Sequence, residues 1–178
     1  MSATLMRLLF FVSFLLPASA QTAPGTPFCL GDGSIVACPC GPNGAPGHGC
    51  ANLDYASGAQ LLGAGVAGAS LATDTLVLTA SNIAGVGWFL QANGASASPI
   101  PFGHGLLCAA FGVHRLSLVF PTGGVSTLPG GPNPMPIHIE GMVNPGETRH
   151  YQCWYRDPII ACGTAYNITP GYTVTWGP

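Results

Sequence analysis

Glycine and proline interrupt this sequence so often that a long helix has no room to form. The 26 glycines and 17 prolines together approach a quarter of the 178 residues, and both residue types break helices and favour turns. A hydrophobic fraction of 48% is nevertheless far too high for a disordered chain. The sequence therefore predicts a turn-dense, all-β fold.

Short runs rich in β-branched and aromatic residues lie between these turns and predict strands. The six runs are 74–80, 87–91, 113–120, 136–140, 148–156 and 172–176. Residues 56–71 contain so many glycines that one or two strands with close neighbours are expected there, with a short helix as the alternative. Strands at this density indicate an antiparallel β-sandwich.

Alternation of apolar and polar residues predicts which side chains face the core of the sandwich. The predicted core residues are Leu76, Leu78, Leu116, Leu118, Phe120, Ile137 and Ile139. Both faces of the strand that carries Trp154 are partly apolar. Periodicity therefore leaves open whether Trp154 points inward or outward.

Residues 1–20 have the pattern of a secretory signal peptide. Arg7 precedes an apolar run at 8–16, which is too short for a bilayer span of roughly 20 residues. The small residues at 18–20 predict cleavage before Gln21. We therefore expect a secreted or cell-surface protein with no membrane span in the mature chain.

The remaining chain divides by composition into two parts. A Cys-rich N-terminal segment, 21–54, carries four of the seven cysteines and no periodic apolar run, so it needs cross-links to hold a shape. A β-sandwich domain is expected at 55–178. Disulfides should therefore staple the Gly/Pro-rich segment.

An odd number of cysteines in an exported chain predicts three disulfides and one free thiol. Cys108 and Cys162 flank predicted strands in loop-like positions, and we expect them to pair. Cys153 lies in mid-strand, where a thiol can replace a small apolar side chain, so it is predicted to be free, buried and unreactive.

The four N-terminal cysteines are then expected to pair among themselves, and two arrangements stay open. The first joins Cys29 to Cys40 and Cys38 to Cys50, whereas the second joins Cys29 to Cys38 and Cys40 to Cys50. Three of these thiols with His48 could instead bind a soft metal ion. Their spacing matches no paired zinc signature, so neither a metal nor a cofactor is predicted.

The charge of the chain argues against whole classes of function. Only 6% of the residues are charged and none is lysine, so no basic patch can neutralise a run of nucleic-acid phosphates. The five histidines are scattered, with no Gly-x-Ser-x-Gly or His-Glu-x-x-His motif. So few titratable groups argue against an enzyme.

Three stretches resemble a known group of proteins. The first is the Cys-rich stretch formed by 28–34 and 37–52, and the second is 74–81. The third is 145–158, which ends in Trp154-Tyr155-Arg156-Asp157-Pro158. They are similar to an uncharacterised family of secreted Cys-rich β modules abundant in planctomycete bacteria, found alone or at the C-terminus of larger extracellular proteins. The similarity spans nearly the whole mature chain. It implies secretion and a β-rich module, and it assigns no catalytic residue. The family pattern has an apolar residue such as Val where this chain has Cys153.

Ligand binding, if it occurs, has a few candidate residues. The rings of Trp88, Trp154 and Trp176 could stack on sugar faces, and the alternative is that they fill the core. Arg156 and Asp157 could grip a ligand, although an ion pair at the strand end is the simpler interpretation. The predicted function is a secreted, non-enzymatic structural or binding module of the cell surface or extracellular matrix, with polysaccharide or a cell-surface protein as its partner. A carbohydrate-binding module using exposed Trp and Tyr is the alternative, followed by a hydrolase.

Overall fold

The structure, a computed structural model, describes residues 23–131, 133–158 and 163–178. The predicted signal peptide, its cleavage site and Cys162 lie outside the described residues. The elements in chain order are β1 Gly25–Phe28, β2 Gln60–Ala64, β3 Val77–Ser81, β4 Gly87–Ala92, β5 Gly94–Phe102, β6 Gly105–Phe111, β7 His114–Val119, β8 Ser126–Leu128, α1 Ile137–Glu140, β9 Thr148–Arg156, β10 Tyr166–Ile168 and β11 Gly171–Thr175.

These strands form three antiparallel sheets, which confirms the predicted all-β fold class. The large sheet has the order β1-β11-β9-β4-β7, and β10 also pairs with β9. The second sheet has the order β2-β3-β8, and β5 and β6 form a separate hairpin. Although β1 belongs to the Cys-rich segment, it pairs with β11 and forms one edge of the large sheet.

The main core lies between the large sheet and the three-stranded sheet. Strand β9 contributes Tyr151, Cys153 and Tyr155 to it, all on one face because they are two residues apart. Leu78 and Leu128 face them from the second sheet. This packing of two sheets around one apolar layer is a β-sandwich.

A bulge explains two wrong core predictions in β7. Strand β4 advances two residues between the pairs Trp88–Leu118 and Leu90–Arg115, whereas β7 advances three. The extra residue reverses the alternation of side chains, so Leu116 stays buried but Leu118 is 37% exposed. The reversed alternation also leaves Phe120, just beyond the strand, 74% exposed.

The predicted strand at 136–140 is wrong, because these residues form the one-turn helix α1. Residues two apart lie on opposite sides of a helix rather than on one face. Ile137 is therefore fully buried as predicted, while Ile139 is 40% exposed. Asp74 fixes this helix, since its carboxylate accepts the backbone N–H of His138 at 2.9 Å.

The β5–β6 hairpin covers the opposite face of the large sheet. A small second core of cysteine and leucine side chains lies beneath it, with Phe28 packed against its edge. Gln152 of β9 points into this layer and donates to the carbonyl of Leu106. The fold therefore has three layers, with the hairpin as the outer one.

The disulfides differ from the predicted pairing. Cys108 bonds to Cys29 rather than to Cys162, because it lies in β6, a strand that the sequence analysis missed and that packs on the end of β1. A pairing confined to the four N-terminal cysteines is therefore wrong. Cys38 bonds to Cys50, which is one bond of the first of the two predicted arrangements. Cys40 is also disulfide-bonded.

Cys153 is a free thiol and is fully buried, the state predicted for it. Burial raises the pKa of this thiol, which disfavours the reactive thiolate. None of the helices within residues 23–131, 133–158 and 163–178 is long and apolar enough to cross a membrane.

Candidate binding groove

An open groove lies between the large sheet and the β5–β6 hairpin, on the face of the sheet that points away from the main core. Its volume is about 240 Å³. Apolar and aromatic side chains from β4, β9 and the hairpin form its walls, and one arginine lies at its edge. We call it the aromatic groove; its lining residues are Trp88, Leu90, Phe102, Leu107, Val113, Arg115 and Trp154.

Strand register places the two tryptophans side by side. Trp88 of β4 and Trp154 of β9 are directly opposite each other in the antiparallel ladder, where facing side chains lie on the same side of the sheet. Their ring centroids are 5.9 Å apart. Both rings are only half-buried, so a ligand can reach them.

Two more rings continue this row. Tyr166 of β10 lies 6.2 Å from Trp154, and Phe102 of β5 lies 5.0 Å from Tyr166, measured between ring centroids. The backbone oxygen of Tyr166 also accepts the N–H of His104, which anchors the hairpin turn beside β10. Gly103 is required in that turn, because its φ is +60° and a Cβ there would lie 2.3 Å from the Tyr166 oxygen.

Arg115 is the charged group of the groove. Its guanidinium carbon lies 5.5 Å from the centre of the Trp88 ring, within the range of a cation–π interaction. None of the ion pairs among the described residues involves Arg115. The groove therefore combines apolar rings with one exposed, uncompensated positive charge.

The hairpin wall is held by buried polar and covalent contacts. Gln152, fully buried, accepts the backbone N–H groups of Cys108 and Ala109 at 2.8 and 2.9 Å. The Cys29–Cys108 disulfide ties the same strand to β1. These contacts hold one wall of the groove against the sheet without ligand.

The structure separates the five residues that the sequence analysis proposed for ligand binding. Trp88 and Trp154 line the groove, whereas Trp176 is a core residue whose indole N–H donates to the hydroxyl of Tyr151 at 3.1 Å. Arg156 is exposed at the end of β9. Asp157 is fully buried and cannot meet a ligand directly.

The expected Arg156–Asp157 pair at the strand end is therefore wrong. The Asp157 carboxylate lies 2.9 Å from Nδ1 of His104 and accepts the N–H of Leu53 at 3.2 Å. The Nε2 atom of His104 lies 3.0 Å from the carbonyl oxygen of Thr164. Both ring nitrogens thus face acceptor oxygens, and Asp157 serves to anchor the hairpin turn.

A second His–Asp pair lies outside the groove. Nδ1 of His138 is 2.7 Å from the Asp74 carboxylate, which also accepts the His138 backbone N–H. Within the described part of the chain, no hydroxyl or thiol hydrogen-bonds to this imidazole. The pair therefore lacks the nucleophile of a hydrolase triad and fastens α1 to the turn before β3.

The alternative metal site at the N-terminal cysteines is also wrong. Cys38 and Cys50 are joined to each other, so neither can supply a thiolate ligand. His48 instead has Nδ1 3.0 Å from the carbonyl oxygen of Pro46. Among the residues that the structure describes, no group of three or more His, Cys, Asp or Glu side chains could hold a metal ion.

Sequence reasoning missed most of the groove. Leu90 and Val113 lie in predicted strands but were given no role, Phe102 and Leu107 lie in a hairpin for which no strand was predicted, and Arg115 was counted only as a charge. Trp88 and Trp154 carried a signal as the tryptophans of two predicted strands. That those strands are neighbours in matching register is a property of the topology.

The fold and the groove together define an antiparallel β-sandwich with an added hairpin layer and an aromatic surface site. No protein-family model, no curated protein and no solved structure matches the chain.

Proposed function

We propose that this protein is an exported, non-enzymatic binding module of the cell surface or extracellular matrix, and that its aromatic groove binds a saccharide. The observation that carries the proposal is the pair of half-buried tryptophans directly opposite each other in one open groove. The two rings are tilted by 37° to each other, and each offers an apolar platform for the C–H face of a sugar ring.

The length of the aromatic row favours a chain of sugars over a single one. Trp88, Trp154, Tyr166 and Phe102 follow one another with centroid spacings of 5.0 to 6.2 Å. Since each ring can stack on one sugar, successive units of a polysaccharide can contact successive rings. We propose a polysaccharide as the partner.

Export supports the same assignment. The disulfides indicate an oxidising, extracytoplasmic environment. We propose that residues 1–20 act as a signal peptide and that the mature chain begins at Gln21. Membership in the secreted planctomycete family that the sequence resembles is part of this proposal, and mass spectrometry of exported protein should find Gln21 at the N-terminus.

A hydrolase is the weaker alternative. The two His–Asp pairs described above are His104 with Asp157 and His138 with Asp74. Both hold loops or turns in place, and none of their residues lines the aromatic groove. A binding role accordingly needs fewer assumptions than a catalytic one.

Affinity electrophoresis of the mature protein in gels containing different polysaccharides tests the proposal. Trp154→Ala should abolish retardation without lowering the melting temperature by more than a few degrees, because the ring is half-exposed. Phe120→Ala is the matched control, since Phe120 is an exposed aromatic residue that does not line the aromatic groove. Retardation that survives Trp154→Ala, or failure of every polysaccharide to retard the wild-type protein, would show that the groove is not a sugar site.

A further inference from the structure

The few charged side chains of this protein are distributed unevenly. It has four basic and six acidic residues, and most of the acids already have partners within the fold. Asp74 and Asp157 lie against histidines, and Glu147 pairs with Arg149 at 2.6 Å. Glu140 accepts the hydroxyl of Ser117 at 2.8 Å.

Two arginines among the described residues are left without such a partner. Arg115 and Arg156 take part in none of the ion pairs of the described residues. All six acids of the chain lie within those residues, so no carboxylate side chain elsewhere in the sequence can neutralise them. These two uncompensated arginines are a large fraction of the charged residues, because the chain has only four basic and six acidic ones.

Both arginines lie on the groove face of the large sheet. Arg115 faces Leu90 in the β4–β7 ladder, and its guanidinium lies over the Trp88 ring at one end of the aromatic row. Arg156 is two residues after Trp154 in β9, so the alternation of the strand places it on the same face. It is directly opposite Tyr166, towards the other end of the row.

The donor groups of Arg115 are accessible to a ligand, because the side chain is exposed and takes part in none of the ion pairs of the described residues. The N–H groups of a guanidinium point outward in its plane and match two oxygens of a carboxylate or sulfate. An oxyanion bound by these N–H groups would lie beside a sugar stacked on the neighbouring rings. The site therefore offers an apolar platform with an anion-binding group next to it.

From this arrangement we infer that the ligand of the aromatic groove is an anionic polysaccharide, whose carboxylate or sulfate groups are bound by Arg115 and Arg156. The inference rests on the proposed saccharide-binding function and adds the chemistry of its substituents. The carboxylate of a uronic acid and the sulfate of a sulfated sugar present the same oxyanion geometry. Neutral glycans would use the rings alone.

Paired probes that share a backbone and differ in charge test this inference. Polygalacturonate is compared with its methyl ester, and sulfated carrageenan with the same polymer after desulfation, by affinity electrophoresis and titration calorimetry. At least one anionic polymer should bind about tenfold or more tightly than its neutral counterpart, as expected for charge-assisted hydrogen bonds. A difference within the polygalacturonate pair identifies a carboxylate as the bound group, and a difference within the carrageenan pair identifies a sulfate.

Variants of the arginines locate the effect. Arg115→Gln should weaken binding of the anionic polymer about tenfold, and by more than it weakens binding of the neutral one. Arg156→Gln should also weaken binding of the anionic polymer. Arg149→Gln is the matched control, because Arg149 is already paired with Glu147, and it should change neither. Added salt should weaken binding of the anionic polymer only, since salt screens exposed charges.

The possible failures are distinguishable. If charged and neutral polymers bind equally and Trp154→Ala abolishes both, this inference is wrong and the proposed sugar-binding function stands. The inference is equally wrong if Arg115→Gln and Arg156→Gln bind the anionic polymer as the wild-type protein does. If none of the four polymers binds, the anionic ligand is rejected, and the wider panel of polysaccharides decides the proposed function.

Discussion

Replacing Gln152 by methionine should loosen the hairpin that forms one wall of the aromatic groove. The buried amide makes four hydrogen bonds to backbone groups. Its oxygen accepts from Cys108 and Ala109, and its nitrogen donates to the carbonyls of Leu106 and Thr169 at 2.9 and 2.8 Å. Methionine has nearly the same length but cannot replace these bonds, so four buried groups lose their partner at once.

The expected loss of stability follows from that count. Leaving a buried donor or acceptor without its partner costs at least about 1 kcal/mol, so four such groups correspond to about 4 kcal/mol. A domain of this size has a total stability of about 5–15 kcal/mol. Gln152→Met should therefore remove a large part of it while leaving the packing volume almost unchanged.

Urea unfolding followed by far-UV circular dichroism measures this difference, with Gln60→Met as the control. Gln60 lies in β2, and its side chain makes no hydrogen bond to the other described residues, so the control should change stability by less than about 0.5 kcal/mol. Hydrogen exchange of the Cys108 and Ala109 amides should also accelerate in Gln152→Met. A loss below about 1 kcal/mol, with unchanged exchange, would show that the Cys29–Cys108 disulfide holds the hairpin without Gln152.

Three further predictions concern the covalent framework and the loops. The Cys29–Cys108 disulfide joins residues 79 apart, so its removal in the double alanine variant should cost about 4.5 kcal/mol in guanidinium unfolding by loop-closure entropy; a loss under about 2 kcal/mol would contradict that account. The Cys153 thiol, with its raised pKa and full burial, should resist iodoacetamide in the native protein and react after unfolding, and labelling of native protein would refute its inertness. The Ser34 hydroxyl and backbone N–H groups hold the pKa of Asp32 below 3.8, so its contribution to stability should be present above that pH and lost as the pH falls through the lowered pKa; a melting temperature that depends on acid pH in the same way for Asp32→Asn would exclude this role.

The strand predictions succeeded where local chemistry and tertiary packing agree. The run at 148–156 matches β9 residue for residue. Its three aromatic residues favour a strand, and β9 has the neighbours β11 and β4 on its two sides. The hairpin strands β5 and β6 were missed. Their sequence is dominated by small residues, glycine and proline, which do not carry the propensity or the alternation of a strand. The bulge in β7 was likewise invisible, because an extra residue in a ladder is defined by the partner strand.

The candidate binding residues show the same difference between what local sequence indicates and what tertiary structure decides. Trp154 and Trp176 each stand near the end of an apolar strand, and local sequence cannot tell them apart. Trp176 is buried in the main core, where its N–H donates to the hydroxyl of Tyr151. Trp154 remains accessible because the hairpin covers only part of the face of β9 on which it lies. Arg156 is exposed whereas its neighbour Asp157 is fully buried against His104, so adjacency in the sequence did not make them a pair.

The sequence by itself determined the fold class and the free, buried state of Cys153. These follow from properties that neighbouring residues carry within a few positions of one another: turn density, strand alternation and an apolar setting in mid-strand. Tertiary structure alone decided the Cys29–Cys108 bridge and the assembly of the groove. Both depend on which strands become neighbours and in what register, and these contacts join residues dozens of positions apart, such as Trp88 and Trp154, whose proximity has no local signature.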